Sequence, residues 1–189
     1  GWGINPTGDK EAWHVVLASN IFWASPTSGL WDQATNWGPT GSVTPAQGDI
    51  VTIAPNQTLT VQGPTNNVGM ESLTIGGGNG VVTMKLEHDL TLAVTNGVTL
   101  SDLLDVSIDP NNTPLYGQQF SVLTYGSRTG TFDKITGTFL SNTRALAPVY
   151  DFAGSSQFVA APNSLTLFVT APGDANLDLV VDFTDLAFL

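Results

Sequence analysis

A four-residue motif in which leucine and threonine alternate recurs along this chain and limits its fold more than any other feature. Residues 58–61, 72–75, 89–92 and 164–167 each read as a polar residue, leucine, threonine and an aliphatic residue. Leucine facing inward and threonine facing outward is the pattern of a half-buried strand. The neighbouring runs are also rich in β-branched residues. We therefore predict an all-β chain, without a strict repeat because the spacing of the motifs is uneven.

Two Asn-Gly pairs bear on how the strands are connected. Asn79-Gly80 and Asn96-Gly97 each separate two runs of alternating apolar residues. Asn-Gly is the strongest short hairpin signal, because a type I′ turn needs positive φ at both of its central positions. Hairpins pair strands antiparallel, so we predict an antiparallel β-sandwich of jelly-roll type. A short β-solenoid is the alternative, which we consider weaker because parallel coils do not need hairpins.

The chain divides into three parts by composition. We expect an N-terminal arm over residues 1–30, a β-sandwich body over 31–171, and a calcium loop with a partial helix over 172–189. All five tryptophans lie near the beginning, at positions 2, 13, 23, 31 and 37. Tryptophan is mostly buried in ordinary domains, so we interpret this cluster as core packing, with a sugar-stacking platform as the alternative.

Charge and composition exclude several classes of partner. Lysine and arginine together number five and the net charge is −11, which argues against a nucleic-acid surface and against docking on anionic lipid. No apolar run reaches the length of a membrane span, and the absence of cysteine removes disulfides and thiolate metal sites. The chain starts at Gly1 without a signal segment, as a processed secreted protein would.

An acidic segment near the C-terminus has the spacing of a calcium-binding loop. Counted from Asp174, oxygen-bearing side chains fall at loop positions 1, 3, 5, 9 and 12, and position 7 offers a backbone carbonyl. The predicted ligands of a structural calcium ion (Ca2+) are therefore Asp174, Asn176, Asp178, Val180, Asp182 and Asp185. Position 6, where the chain turns sharply, is usually glycine, whereas here it is Leu179, which disfavours positive φ.

Two blocks and this loop resemble known families. Residues 31–37, followed by Pro45 and residues 48–53, resemble the opening of large secreted bacterial β-proteins with autotransporter-like strand repeats. Residues 117–125 and 130–135 are similar to the closing portion of the same proteins, and residues 173–186 resemble one dockerin type I repeat. The resemblance implies an extracellular or cell-surface location and calcium binding at the six loop positions. A dockerin has two such repeats, so a complete cohesin-binding dockerin is not expected from this one.

The sequence favours a structural protein over an enzyme. His14 and His88 are isolated, and nothing in the sequence brings together Glu71, Asp102 and Asp105, the carboxylates that a glycosidase would need. We expect a secreted subunit of an extracellular filament, sheath or surface layer, stabilised by calcium. It would form homo-oligomers or polymers through its terminal segments. The alternative is a carbohydrate-binding or adhesin-like module of a polysaccharide-degrading system, with a polysaccharide as partner.

Overall fold

The computed structural model describes residues 2–4, 10–12, 18–41, 43–109, 111–155 and 157–185. Apart from one short 3-10 helix, Ala34–Asn36, the regular elements in these ranges are strands. No helix there is long and apolar enough to cross a membrane. The first strands are β1 (Trp2–Ile4), β2 (Lys10–Ala12), β3 (Asn20–Trp23), β4 (Gly29–Leu30), β5 (Trp37–Gly38), β6 (Ile50–Ile53), β7 (Leu59–Gln62), β8 (Val68–Met70), β9 (Ser72–Ile75) and β10 (Val82–Glu87). The remainder are β11 (Leu92–Val94), β12 (Gly97–Leu100), β13 (Leu103–Ser107), β14 (Gln119–Thr124), β15 (Ser127–Gly130), β16 (Lys134–Thr136), β17 (Phe139–Ser141), β18 (Arg144–Phe152) and β19 (Ala161–Thr170).

The chain passes in turn through three large sheets. Sheet I has the strand order β15-β12-β9-β6-β3-β5, sheet II has β16-β13-β10-β7-β4, and sheet III has β17-β18-β19-β14-β11-β8. Strands β6, β7 and β8 lie in sheets I, II and III, and β9 then returns to sheet I parallel to β6. The body is therefore a parallel β-solenoid, in which the coils β6–β8, β9–β11 and β12–β14 each contribute one strand to each sheet. Strands β1 and β2 form a separate antiparallel pair.

The all-β prediction is confirmed, but the predicted antiparallel jelly-roll sandwich is wrong. Successive coils pair in parallel in all three sheets. Antiparallel pairs in the described part of the chain are confined to β1 with β2, β3 with β5, and the terminal strands β17, β18 and β19 with β14. The short β-solenoid, which the sequence analysis considered the weaker alternative, is the observed arrangement.

The Asn-Gly pairs explain why the sandwich prediction fails. Asn79-Gly80 lies in the corner between β9 and β10, and Asn96-Gly97 leads from β11 into β12. None of the four residues has positive φ. Instead, the N–H of Gly80 donates to the carbonyl of Pro55 at 3.0 Å and that of Asn96 to Glu71 at 2.8 Å, both in the preceding coil. Each pair turns the chain from one sheet to the next and does not fold it back.

Alternate side chains of each coil fill the solenoid interior. In sheet I the register aligns Val51, Leu73 and Val98, each at most 2% exposed. Burying an aliphatic side chain of this size contributes about 1.5–3 kcal/mol relative to leaving it in water. Thr74, the next residue after Leu73, lies half-buried on the outer face. The leucine–threonine alternation is thus the inside–outside alternation of a solenoid strand.

Three of the tryptophans close the first coil. Trp37 packs edge-on against Trp23 and Trp31, with ring centroids 5.1 Å and 4.8 Å away. Its indole N–H donates to the carbonyl of Trp31 at 2.6 Å, and all three side chains are buried. Core packing is therefore confirmed for these three residues. Trp2 lies in β1, and Trp13 lies outside the described residues.

The last strand, β19, is buried on both faces. Leu165, Leu167 and Val169 point into the solenoid core, whereas Phe168 points the other way into a second apolar cluster. That cluster, here called the outer layer, comprises Phe168 with Phe158, Leu177, Ala147, Val149, Phe152 and Leu179. Sheet III therefore separates the solenoid interior from a smaller apolar layer outside it.

A polar network joins the final coil to the terminal strands. The hydroxyl of Tyr125 donates to Asp151 at 2.8 Å, and Arg128 donates to Tyr125 at 3.1 Å and forms an ion pair with Asp151 at 2.9 Å. Burial, together with the hydrogen bond to Asp151, raises the pKa of Tyr125 to about 12. Burial opposes ionisation of Asp151, but the hydrogen bonds from Arg128 and Tyr125, the charge of Arg128 and a bond from the Asn163 backbone together outweigh it and lower the pKa of that carboxyl. The network fixes β15 against β18.

Three local patterns of the sequence can be compared with the fold. The sequence predicts a link at residues 126–129, which is wrong because most of strand β15 lies there. At residues 103–106 it predicts either a strand or a helical turn, and the strand is confirmed because they belong to β13. The polar run around His88 predicts a surface position, which is wrong because His88 is fully buried, with its ring 4.7 Å from that of Phe120. His88 continues the alternation of β10, in which Val82, Met84 and Leu86 are buried and Glu87 is exposed, so its side chain lies on the interior side of the coil.

Candidate functional site

The acidic loop, residues 174–185, packs on the outer layer over sheet III. Leu177 is 5% exposed and lies in the same apolar cluster as Phe158 and Phe168. The hydroxyl of Ser155 donates to the carbonyl of Leu177 at 3.3 Å. The loop is therefore held by the terminal strands and their connection, and its apolar residues are part of the fold.

Two further side chains of the body hold the loop by hydrogen bonds. The hydroxyl of Tyr116 donates to the carbonyl of Leu179 at 2.7 Å. The hydroxyl of Thr170, at the end of β19, donates to a carboxylate oxygen of Asp174. Sequence reasoning missed both residues, because Tyr116 lies 63 positions from Leu179 and Thr170 precedes the first position of the calcium-loop pattern.

Asp174 fixes the beginning of the loop. Its side chain is buried, and its two carboxylate oxygens accept from the N–H groups of Asp178 at 3.1 Å and Leu179 at 3.0 Å. The residue at loop position 1 thus organises the backbone of positions 5 and 6. This is a favourable use of a buried carboxylate, because bonds from N–H groups to a charged acceptor are stronger than neutral ones.

Two leucines adopt the left-handed conformation that the loop requires. Leu177 has φ of 59° and Leu179 has φ of 69°. The latter occupies position 6, where glycine is usual, and the expected reluctance of leucine does not prevent it from adopting positive φ. The conformation costs about 1–2 kcal/mol per residue. Burial of the Leu177 side chain offsets a cost of that size.

The middle ligand positions form a chain of short-range hydrogen bonds. Asn176 accepts from the N–H of Asp178 at 3.1 Å and donates its side-chain amide to the carboxylate of Asp178 at 3.0 Å. The other carboxylate oxygen of Asp178 accepts from the N–H of Val180 at 2.8 Å. Val180 itself is half exposed. Positions 3, 5 and 7 are therefore joined by hydrogen bonds between residues two apart in the sequence.

Asp185 closes the loop on its own beginning. It is buried and accepts from the N–H groups of Ala175 at 2.7 Å, Asn176 at 3.2 Å and Asp182 at 2.8 Å. These N–H bonds, that of Asp182 foremost, lower the pKa of the Asp185 carboxyl. Bonds from the Thr184 hydroxyl and N–H likewise lower the pKa of Asp182. Position 12 is thus folded back against positions 2 and 3, and position 9 is bonded to position 12.

The donor set suits calcium, although the carboxylates are not gathered around one point. In the described ranges, no three His, Cys, Asp or Glu side chains form a group that could hold a metal ion. The loop offers only oxygen ligands, which calcium prefers. Asp174 and Asp185 are buried, and the ion pairs found among the described residues lie elsewhere in the fold. The residues therefore fit calcium chemically, while in this arrangement their oxygens accept from loop N–H groups.

The predicted helix after the loop is described only at its beginning. Asp182 accepts from the N–H of Thr184 at 2.7 Å, and Asp185 accepts from the N–H of Asp182. This reciprocal pattern resembles the capping box that begins a helix. Residues 186–189, which the prediction also included, lie outside the described residues.

The carboxylates considered for a glycosidase are not brought together. Glu71 accepts from the side chain of Asn96 at 3.1 Å at the corner before β9, and Asp105 pairs with Lys85 at 3.2 Å within sheet II. Asp102 lies in the corner between β12 and β13. Each carboxylate supports a different coil contact. His14 lies outside the described residues.

The sugar-stacking alternative required exposed tryptophans, and Trp23, Trp31 and Trp37 are buried. The acidic loop is therefore the best-defined candidate site of the described chain.

Comparisons with protein-family models, with curated proteins and with solved structures found no match.

Proposed function

We propose that this chain is a secreted structural protein, a subunit of an extracellular filament, sheath or surface layer that is stabilised by calcium. The observation that carries the proposal is the asymmetry of the two solenoid ends. At the C-terminal end, sheets I and II finish on β15 and β16, which have no further strand beside them among the described residues. Such edges accept strands from other chains.

The opposite end of sheet II is covered by its own chain. The carbonyl of Leu30, in the edge strand β4, accepts from the N–H of Gln33 at 3.3 Å and from the side chain of Asn36 at 2.9 Å. In sheet II, therefore, the C-terminal end offers an acceptor edge, whereas at the N-terminal end the carbonyl of Leu30 is already occupied. Contacts between unlike ends do not close into a dimer and so extend into filaments. We infer that the segment before β3 supplies the strand that pairs with β15 and β16 of the next copy.

The acidic loop is the proposed calcium-binding site. Asp174, Asn176, Asp178, Asp182 and Asp185 would supply side-chain oxygens, and Val180 its carbonyl. A bound Ca2+ ion would neutralise carboxylates that have no cationic partner in the described structure. Because the loop packs on Phe158 and Phe168, its stability is shared with the terminal strands. Extracellular calcium concentrations suit sites of modest affinity, which agrees with a secreted location.

Electron microscopy of edge variants tests the assembly. Lys134 donates its N–H to Asp102 in the preceding coil, so the alternation of a strand turns the N–H of Ile135 toward the free edge. Replacing Ile135 by proline removes that donor, whereas replacing it by alanine removes the side chain and keeps the donor. We expect the native chain and Ile135→Ala to form filaments with calcium, and Ile135→Pro or deletion of residues 1–17 to abolish them.

Thermal melts of all four proteins show whether each variant remains folded. If folded Ile135→Pro formed as many filaments as the native chain, the proposed contact at the edge of β16 would be excluded. A native chain that stays monomeric with calcium at high concentration would overturn the proposed structural function.

A further inference from the structure

A row of threonines runs straight along the outer face of sheet I. The strand register places Thr52 beside Thr74, Thr74 beside Thr99, and Thr99 beside Thr129. These four residues belong to β6, β9, β12 and β15, one from each successive coil. Phe22 in β3 continues the row at its N-terminal end. We call the four threonines the threonine row.

The row is accessible and has a regular spacing. Thr99 and Thr129 are exposed, and Thr52 and Thr74 are half-buried by their neighbours on the flat face. Neighbouring strands lie about 4.8 Å apart, so the row repeats a hydroxyl and a methyl group at that interval over roughly 14 Å. Threonine is stiff at χ1, and a solenoid sheet fixes the backbone, so these groups are held in a lattice.

A second row of small or uncharged residues lies beside the first. Ile50, Ser72, Gly97 and Ser127 precede the threonines by two residues, on the same strands and the same face, about 6.6 Å away along the strand. Neither row contains a charged residue, although the chain carries a net charge of −11. Charged side chains would impose their own hydration shells on the surrounding water. Because these two rows carry none, the water next to this face of sheet I can adopt the spacing of the threonines.

We propose that this face binds crystalline water, that is, the surface of ice. Each threonine hydroxyl donates to or accepts from a lattice water, while each methyl group occupies a gap between waters. Because the fold fixes the spacing, the hydroxyl and methyl groups of the row are already ordered before binding. No side-chain ordering then has to occur when the surface is bound. The inference is independent of the assembly and calcium proposals, because it uses only the outer face of sheet I.

The geometry favours an ice surface over the other occupants of a flat face. The two rows span roughly 14 Å by 6.6 Å, or about 90 Å², whereas a stable protein interface needs about 800 Å² per partner. A second copy docked face to face would therefore be too weakly held. A polysaccharide would be expected to stack on several aromatic rings. The two rows themselves contain no aromatic residue, and Phe22 lies only at the end of the threonine row, so this face does not suit a polysaccharide. The small area also means that the effect on ice is modest.

Inhibition of ice recrystallisation by the full 189-residue chain provides the test. We expect the native chain to keep ice grains small and to partition into slowly growing ice. The double variant Thr74→Tyr/Thr99→Tyr places bulky rings in the row and should raise the concentration needed by about tenfold. The matched control is Thr60→Tyr/Thr83→Tyr, because Thr60 and Thr83 lie side by side in sheet II. This control should behave as the native chain does.

The remaining outcomes are also decisive. If the row variant melts earlier than the control, Thr99→Lys/Thr129→Lys, at two exposed positions, replaces it and should show the same loss. A native chain with no effect on grain size would overturn the proposal, as would equal losses in both sheets. Binding to insoluble cellulose or chitin that requires the threonine row would assign the face to polysaccharide. Concentration-dependent dimers that require it would assign the face to a second copy.

Discussion

We expect that replacing Gly80 by alanine lowers the free energy of unfolding by about 3 kcal/mol, whereas replacing Gly97 by alanine changes it by less than about 0.5 kcal/mol. A Cβ atom at Gly80 would lie 2.2–2.3 Å from backbone atoms of Gln57 in the preceding coil. Backbone cannot rotate away, so the two coils would have to separate. At Gly97 the nearest atom is the side-chain oxygen of Ser127, at 3.3 Å, which can move.

The comparison distinguishes the solenoid from the hairpin interpretation, because both glycines follow an asparagine. In type I′ hairpins both would need positive φ, and alanine would cost about 1–2 kcal/mol at each. In the solenoid, Gly80 is required for the close approach of two coils and Gly97 is not. Urea denaturation of the two variants measures the difference. Similar losses at both positions would contradict the corner assignment.

Replacing Phe168 by alanine costs about 3–5 kcal/mol. Phe168 is fully buried on the outer side of β19, with its ring centroid 4.5 Å from that of Phe152 and 4.8 Å from that of Phe158. Removing the ring opens a cavity between sheet III and the acidic loop, because Leu177 rests on the same cluster. The loss is measured by urea or thermal unfolding.

Phe183 provides the control for size and chemistry. It lies in the acidic loop but is 89% exposed, so Phe183→Ala should change stability by less than about 0.5 kcal/mol. If Phe168→Ala were as mild as Phe183→Ala, the loop would not be packed on sheet III as described. If both were severe, Phe183 would have to be covered in solution by another surface.

The strands could be predicted from the sequence, but not their direction. The alternation of Leu73 and Thr74 reports which side is buried, and it is the same in a sandwich and in a solenoid. Asn-Gly signals a tight change of direction, and Gly80 is selected here by the proximity of Gln57, a contact between coils that local sequence does not reveal. Parallel pairing depends on such long-range contacts.

The candidate site, like the fold, could be predicted from the sequence only in part. The spacing of the oxygen-bearing residues predicted a shared set of calcium ligands, which stays a prediction; in the fold Asn176 bonds to Asp178, but the carboxylates of the loop are not gathered around one point. It did not predict that Leu179 adopts positive φ, because the compensating contact with Tyr116 comes from a distant segment. Nor did it predict that Leu177 is buried on sheet III, since the solenoid that supplies that surface was not the expected fold.

The most direct test of the proposed calcium site is the melting temperature of the native chain and of Asp174→Ala, each with calcium and with EGTA. At a calcium concentration a hundredfold above the dissociation constant, binding to the folded state adds about 2.7 kcal/mol. For a chain of this size that corresponds to a rise of roughly 5–10 °C. Magnesium at equal ionic strength, and Asp109→Asn, which is not one of the predicted calcium ligands, serve as controls.

The difference between calcium and EGTA is the quantity of interest, because Asp174→Ala also loses its bonds to the N–H groups of Asp178 and Leu179. The account predicts a calcium-dependent rise in the native chain and in Asp109→Asn, and none in Asp174→Ala. A native chain that melts at the same temperature with calcium and with EGTA would contradict it.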